Sequence, residues 1–341
     1  MSAPYRIYGG LGSPYSMKMR AVLRYRRIPH VWISGARPEV MAELYAKVKA
    51  PVIPVIVFPD GTVMNDSTPL IHELERRHRG ERSIVPEDEA QAFLAGLLED
   101  MADEWGTKAM FHYRWFRERD QAQMSRWLAF DRLKGRGRAQ IEAAAAVFRE
   151  RQVGRMALVG CTPENAALIE ATAARVFDLL DPMATDEGFL FGSRPSLADF
   201  GWYGQLTQLG SDPTPHDVMQ ARAPYLMRWL VNIDDASGIE GAWLDPAAEP
   251  TEAVRGLLNL AGEIYLPFLE ANARAAQAGQ ETFTVELWGQ PYSQGVFRYQ
   301  VKCLAALRAA YAALSTAARA RVDPLLKTAG ALRSMATAEP A

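Results

Sequence analysis

The chain has 341 residues, a length that favours two domains or one domain with a long extension. Its 38 basic and 40 acidic residues give a net charge of −2, which gives no general reason to expect binding to nucleic acid or anionic membranes. Two cysteines, Cys161 and Cys303, are too few for a disulfide scaffold and are typical of a reducing compartment.

The N-terminal residues show no basic stretch followed by an apolar run, as a signal peptide would. No apolar stretch approaches the roughly 20 residues that a membrane-spanning helix needs. The sequence therefore predicts a cytoplasmic protein without a membrane partner.

The first 80 residues alternate between strand and helix patterns. Strands are predicted at residues 5–9, 30–33, 52–58 and 62–64. Pro14 and Pro38 are placed to begin helices, and Ser67 is predicted to cap a third. The resulting order, β-α-β-α-β-β-α, is that of the thioredoxin-like fold. We therefore predict an α/β thioredoxin-like domain over residues 1–80.

After a polar linker at residues 80–89, the sequence is predicted to be helical. Apolar residues from Phe93 to Trp105 recur at helical spacing. Further helices are expected around residues 139–152, 163–181, 196–209, 222–235, 251–276 and 294–319. We predict an all-α domain over residues 90–240, and an extension of extra C-terminal helices over residues 241–341 that frays beyond residue 330.

The segment Gly12-Ser13-Pro14-Tyr15-Ser16 follows the first predicted strand and begins a helix. It resembles the active-site turn of the thioredoxin-like superfamily, in which Cys-Pro-x-Cys carries redox chemistry. With serines in place of both cysteines, it is closer to the glutathione S-transferases that have a serine or cysteine active-site residue. The resemblance implies that Ser13 donates a hydrogen bond to the thiolate of bound glutathione and disfavours disulfide exchange. The alternative is that Ser13 only caps the helix.

Two other interpretations of this segment fail. Gly10-Leu11-Gly12 lacks the third glycine of a dinucleotide-binding loop. A serine-hydrolase elbow needs a glycine two residues after the serine, and that residue is Tyr15.

A serine hydroxyl is strong enough as a donor to activate a thiol. A thiol titrates near pH 8.5 and reacts as the thiolate, to roughly the extent that it is ionised. A charge-assisted hydrogen bond worth about 1.5–3 kcal/mol lowers the thiol pKa by roughly one to two units. A helix N-terminus adds about 0.3–1 kcal/mol. Together these effects populate the thiolate at neutral pH.

Pro54 interrupts an apolar run that otherwise reads as a strand. In the resembled family this proline is cis, and the backbone of the residue before it, here Ile53, pairs with the cysteinyl part of glutathione. The family commonly has a polar residue just before this pair of residues, at the position that Val52 occupies here. Lys49 is therefore the candidate for the glycyl carboxylate. An edge-strand proline is the alternative interpretation.

Asp66-Ser67 stands ahead of a helix, where glutathione S-transferases usually have an acidic residue followed by serine. The resemblance implies that Ser67 and the helix N-terminus take the γ-glutamyl carboxylate, and that Asp66 takes the ammonium group. Plain helix capping is the alternative. Ser13, Pro54 and Asp66-Ser67 occur together in the family order, which is more specific than any one of them.

Other features are interpreted as structural. Ser196 and Asp199 have the spacing of a capping box, so their predicted role is in folding. The basic residues at 132–138 are interpreted as a solvated loop. The five histidines show no paired metal-ligand spacing, so no catalytic zinc is expected.

The resemblance implies a glutathione-dependent transferase that acts on a small hydrophobic electrophile held by the helical domain. Ser13 is the predicted activator of the thiol, and Tyr8, at the end of the first strand, is the second candidate. A glutathione-dependent isomerase, dehalogenase or etherase on the same scaffold is a chemical alternative. A non-catalytic binding module is the alternative from another class. The resemblance also implies a homodimer, which the extra helices could obstruct.

Overall fold

The N-terminal part of the chain contains a four-stranded sheet in a computed structural model that describes residues 3–80, 82–186 and 188–336. The strands are β1 (Tyr5–Gly9), β2 (His30–Ser34), β3 (Val55–Val57) and β4 (Val63–Asn65), in the order β2-β1-β3-β4. β1 and β2 are parallel, whereas β3 is antiparallel to both β1 and β4. β3 is shorter than the predicted strand at 52–58 because Pro54, which has no N–H to donate, immediately precedes it.

Three helices cover the sheet: α1 (Pro14–Tyr25), α2 (Pro38–Tyr45) and α3 (Ser67–Arg77). α1 and α3 share the main apolar core with Ile7 and Ile56, whereas α2 covers a smaller cluster on the other face. The α/β thioredoxin-like domain that the sequence predicts is confirmed.

The middle of the chain is helical, as predicted. Its helices are α4 (Glu89–Met101), α5 (Thr107–Phe116), α6 (Glu118–Leu133), α7 (Arg138–Val153), α8 (Ala166–Asp186), α9 (Leu197–Leu209), α10 (Pro213–Arg222) and α11 (Pro224–Ile233). A π-helical turn, Ala102–Gly106, joins α4 to α5. α9 is buried on nearly every face and packs against α1 and α4, so it connects the two domains.

The C-terminal extension contains helices and one β-hairpin. The helices are α12 (Glu252–Leu260), α13 (Leu266–Gln277), α14 (Arg298–Ala313), α15 (Thr316–Thr328) and α16 (Leu332–Ala336), and the strands are β5 (Thr282–Leu287) and β6 (Gln290–Gly295). A π-helical turn at Ala261–Tyr265 joins α12 to α13. Residues of the extension belong to the same apolar core as both other parts. None of the described helices is long and apolar enough to cross a bilayer.

The extension differs from the prediction in three places. The hairpin was not predicted, because its turn places Trp288 at φ 49° and tryptophan is not a turn signal. The helix predicted at 294–319 is two helices, since Ser315 caps α15 through a hydrogen bond from the Ala318 N–H. Residues 332–336 form α16 where fraying was expected, and residues 337–341 lie outside the described residues.

Candidate glutathione site

Strand pairing brings the three predicted motifs to one edge of the sheet. Tyr8 of β1 pairs with Val55 of β3, and Val55 pairs with Asn65 of β4. The turn after β1, the segment before β3 and the segment after β4 therefore lie side by side. A Cβ placed on Gly10 would lie 3.5 Å from Cδ1 of Ile53, which shows how closely the first two approach.

Ser13 is the N-cap residue of α1. Its Oγ accepts a hydrogen bond from the Ser16 N–H at 3.3 Å, and Pro14 is the first helical residue. The capping interpretation is thus correct as a description of the geometry. In this capping hydrogen bond the Ser13 oxygen is the acceptor. The hydroxyl proton stays available to a ligand, because a hydroxyl can donate and accept at the same time. Ser13 is half-buried, so part of this residue remains open to solvent.

The helical domain fixes the turn that carries Ser13. Nη1 of Arg114 donates to the Gly12 carbonyl at 2.8 Å, and Nε of the same side chain donates to Asp212 at 2.8 Å. Gln208 donates to the Leu11 carbonyl at 3.1 Å. A Cβ at position 12 would lie 2.4 Å from a Leu128 methyl carbon, so α6 packs closely against the turn here. Ser13 is therefore held by contacts from another domain.

The peptide bond between Ile53 and Pro54 is cis. Asn65 fixes the segment before this peptide bond. The side-chain amide of Asn65 donates to the Ala50 carbonyl at 2.6 Å and to the Val52 carbonyl at 3.3 Å. Lys49 is exposed on the same segment.

Asp66 and Ser67 lie at the start of α3, which begins one residue earlier than the sequence predicted. Asp66, and not Ser67, is the N-cap residue, and it has φ 75°. The helix begins at Ser67 because the positive φ of Asp66 prevents that residue from being helical. Ser67 is the first helical residue and is buried, with Oγ 3.5 Å from Oδ2 of Asp103. Oδ2 of Asp66 accepts a hydrogen bond from the Tyr299 hydroxyl at 3.0 Å.

Comparison with known proteins assigns the family. The model of the glutathione S-transferase N-terminal domain matches residues 7–82, and that of the glutathione S-transferase C-terminal domain matches residues 129–231. Together they cover just over half of the chain. The chain belongs to the glutathione S-transferase superfamily. This confirms the family that the Ser13 turn, Pro54 and Asp66-Ser67 resemble.

Solved structures resemble the chain at low sequence identity. A glutathione transferase from Phanerochaete chrysosporium is 13% identical, with a TM-score of 0.50, over 70% of this chain and 100% of that one. A glutathione S-transferase from Methylobacterium radiotolerans in complex with glutathione sulfonate is 19% identical, with a TM-score of 0.44, over 73% of this chain and 100% of that one. A β-etherase from Sphingobium sp. is 15% identical, with a TM-score of 0.45, over 69% of this chain and 98% of that one. No curated protein matches the chain.

A group of charged side chains is buried next to the edge of the sheet that carries the three motifs. Nζ of Lys18, on α1, contacts Glu99 and lies 2.7 Å from Oδ2 of Asp103. The Thr68 hydroxyl donates to Glu99 at 2.6 Å. Sequence reasoning assigned none of these residues a role. The available signal was two acidic pairs, at 99–100 and 103–104, within the mostly apolar stretch from Phe93 to Trp105.

Burial shifts the pKa values of this group. Burial raises the pKa of Asp100 to about 7, although a hydrogen bond from Tyr265 opposes the shift. Burial and the neighbouring Asp100 raise the pKa of Glu104 to about 8. Burial would lower the pKa of Lys18, but Asp103 and Glu99 outweigh it and hold the pKa above its usual value. Lys18 therefore stays charged at neutral pH.

Tyr8, the second candidate activator, lies on the other face of the sheet from α1. Its ring packs with Leu44, Val55 and Val57 in the cluster that α2 covers. Ser13 begins α1, whose buried residues belong to the opposite face. The arrangement favours Ser13 over Tyr8 as the group that meets a thiol.

Two of the cavities among the described residues lie in the helical part. One of about 10 Å³ is lined by Trp105, Thr172, Trp202 and Gln205 among others, and it is too small for a substrate. The other, of about 300 Å³, lies between α4, residues 244–250 and α15. Its lining includes no residue of the N-terminal domain, so it is not part of the edge that carries Ser13.

Proposed function

We propose that the protein is a glutathione-dependent transferase that joins the glutathione sulfur to a small hydrophobic electrophile. The observation that supports this proposal is the arrangement of Ser13, Ile53-Pro54 and Asp66-Ser67 along one edge of the sheet. Each of the three can bind a different part of the tripeptide. Glutathione is the co-substrate in this proposal.

The proposed contacts follow from the chemistry of each group. The backbone of Ile53 pairs with the cysteinyl residue, the Asp66 carboxylate takes the ammonium group, and Ser67 with the α3 N-terminus takes the γ-glutamyl carboxylate. Lys49, exposed and with a long side chain, takes the glycyl carboxylate. These assignments place the cysteinyl sulfur toward the turn that contains Ser13.

Ser13 is proposed to act as a hydrogen-bond donor to the sulfur. The thiol loses its proton to solvent, and the Ser13 hydroxyl together with the N-terminus of α1 stabilises the thiolate that remains. A sulfur lone pair then forms a bond to the electrophilic carbon. In a substitution the leaving group departs with the electron pair of the broken bond, and in an addition the π electron pair moves to the neighbouring atom, which takes a proton from solvent. Holding both substrates in contact supplies the rest of the acceleration.

The electrophile is proposed to bind against α6. Leu128 packs directly on Gly12 and is only partly buried, and Met124 lies beside it. Leu128 therefore presents apolar surface next to the turn that carries Ser13, whereas Met124 is buried. A hydrophobic electrophile therefore has a surface to contact without entering the small cavity near Trp105.

The experiment combines binding with turnover. We expect calorimetry to detect glutathione binding with micromolar to millimolar affinity, and an electrophile panel to reveal glutathione consumption. The proposal would be overturned if glutathione at about 10 mM gave no heat in calorimetry and did not displace the protein from immobilised glutathione. This concentration is roughly the weak end of small-ligand affinities. Binding without turnover would favour a non-catalytic module, whereas release of halide, ether cleavage or isomerisation would favour those chemistries. A homodimer and a cytoplasmic location belong to the same proposal.

A further inference from the structure

The C-terminal extension reaches the proposed glutathione site through one side chain. Tyr299, in the first turn of α14, donates its hydroxyl proton to Oδ2 of Asp66 across 233 residues of sequence. Neither matched family domain includes residue 299. The extension thus contacts the carboxylate that the proposed function assigns to the ammonium group of glutathione.

The position of Tyr299 is fixed by its neighbours. The side chain of Asn272 exchanges two hydrogen bonds with the Phe297 backbone, both at 2.9 Å, and these hold the start of α14. The next residue, Gln300, is buried. Tyr299 itself is 42% exposed, so its ring lies at the rim of the site while its backbone is anchored beneath.

The Tyr299 hydroxyl and an ammonium group can bind Asp66 at the same time. An ionised carboxylate offers roughly four acceptor positions on its two oxygens, and Tyr299 occupies one of them on Oδ2. Burial raises the pKa of Asp66, and the hydrogen bond from Tyr299 opposes that shift, together with Lys18. The hydroxyl therefore favours the charged form of Asp66, which is the form that attracts a cation.

We propose that Tyr299 is a positioning residue of the γ-glutamyl subsite, where it holds the Asp66 carboxylate toward the ammonium group of the ligand. The extension then confers specificity for thiols that carry this amino group over thiols that lack it. The proposal rests on the proposed function, because it assumes that glutathione binds at this edge. It assigns the selectivity to a residue outside both domains that define the family.

The test compares two ligands on two variants of the full chain. The ligands are glutathione and glutaryl-cysteinylglycine, in which hydrogen replaces the γ-glutamyl amino group. Tyr299→Phe should weaken glutathione binding by about 2- to 13-fold, the range for one hydrogen bond, and leave the analogue unchanged. Tyr311→Phe is the matched control, because it removes a tyrosine–aspartate hydrogen bond of 2.7 Å to Asp323 within the same extension. It should change neither affinity.

The outcomes separate this inference from the proposed function. Equal weakening of both ligands in Tyr299→Phe, no weakening, or tighter glutathione binding would overturn the inference. Failure of the wild-type protein to bind either ligand would instead overturn the proposed function. Asp66→Asn supplies a second measurement: if Tyr299 acts through Asp66, Tyr299→Phe should have no further effect on glutathione affinity in that background. An undiminished effect there would also overturn the inference.

Discussion

Lys18 and Asp103 form a buried ion pair between the N-terminal and helical domains, with 2.7 Å between Nζ and Oδ2. Lys18 also contacts Glu99, and the Lys18 side chain has no exposed surface. Two carboxylates therefore share one ammonium group behind α3. Because a buried charge costs several kcal/mol unless it is paired, each member depends on the others.

Replacement of Lys18 should destabilise the fold strongly. Lys18→Met keeps most of the side-chain volume but leaves Glu99 and Asp103 without a cation, and removal of one partner of a buried pair costs about 3–5 kcal/mol. Urea unfolding measures the loss. Arg119→Met is the control, because its pair with Asp217 is exposed at both ends and should leave the unfolding midpoint nearly unchanged. A loss below about 1 kcal/mol in Lys18→Met would contradict this interpretation of the pair.

The buried carboxyl groups of Glu104 and Asp100 should make the stability of the fold depend on pH. Glu104 has a folded-state pKa of about 8 against an ordinary value of 4.5, so the folded state retains a proton that the unfolded chain has lost. Its contribution to stability is therefore largest below pH 4.5 and falls as pH rises to about 8. Asp100, with a pKa of about 7, acts in the same direction.

Glu104→Gln isolates this contribution. Glutamine has the same shape but cannot ionise, so the variant should gain stability relative to wild type by about 2–3 kcal/mol between pH 6 and pH 9. Burial lowers the pKa of Lys108 to about 8 and the charge of Glu104 opposes that shift, so the same comparison in a Lys108→Met background separates the Glu104 contribution. Exposed Glu249 provides the control, since Glu249→Gln should follow the wild-type pH curve. Parallel curves for Glu104→Gln and wild type would show that Glu104 does not titrate in this range.

Local patterns were enough to predict the N-terminal fold and its three motifs. Proline placement and β-propensity predicted the elements around Ser13 and Pro54, because helix starts and strand breaks are short-range effects. The capping box at Ser196 and Asp199 is present with both reciprocal hydrogen bonds, as its spacing predicted. The roles of the motif residues toward glutathione remain predictions.

Contacts between distant segments could not be predicted in the same way. Lys18 meets Asp103 across 85 residues, and Tyr299 meets Asp66 across 233. Helical periodicity shows which face of a helix is buried, but it does not show which buried polar group finds which partner. The charged group behind α3 therefore emerged only from the structure, as did the reach of the extension to Asp66.

Asp199 should contribute to folding and not to ligand binding. Its carboxylate accepts hydrogen bonds from the Ser196 N–H at 2.8 Å and from the Leu190 N–H at 3.0 Å. Asp199→Ala leaves both buried donors unpaired, so we expect a loss of about 2–4 kcal/mol, more than an ordinary cap. Thr251→Ala, which removes the simpler cap of α12, is the comparison and should cost about 0.5–2 kcal/mol. Normal urea stability with lost glutathione affinity in Asp199→Ala would mean that Asp199 belongs to a ligand site.

Ser13 caps α1 and is proposed to donate a hydrogen bond to the thiolate, and two substitutions separate these roles. Ser13→Ala removes both, so it should cost about 0.5–2 kcal/mol of stability and raise the pKa of the bound thiol by about one to two units. Ser13→Asp keeps an acceptor for the Ser16 N–H but has no proton to donate, so its stability should be near that of wild type.

The thiol itself provides the measurement that decides between Ser13 and Tyr8. Thiolate absorbance of bound glutathione, followed against pH, should show a raised pKa in both Ser13 variants, and more so in Ser13→Asp because its carboxylate repels the thiolate. Conjugation at neutral pH should slow roughly 10- to 150-fold in Ser13→Ala, because the lost hydrogen bond is worth about 1.5–3 kcal/mol. Tyr8→Phe should leave the titration unchanged, since the Tyr8 ring packs on the opposite face of the sheet from α1. An unchanged titration in both Ser13 variants, with a large shift in Tyr8→Phe, would transfer the activating role to Tyr8.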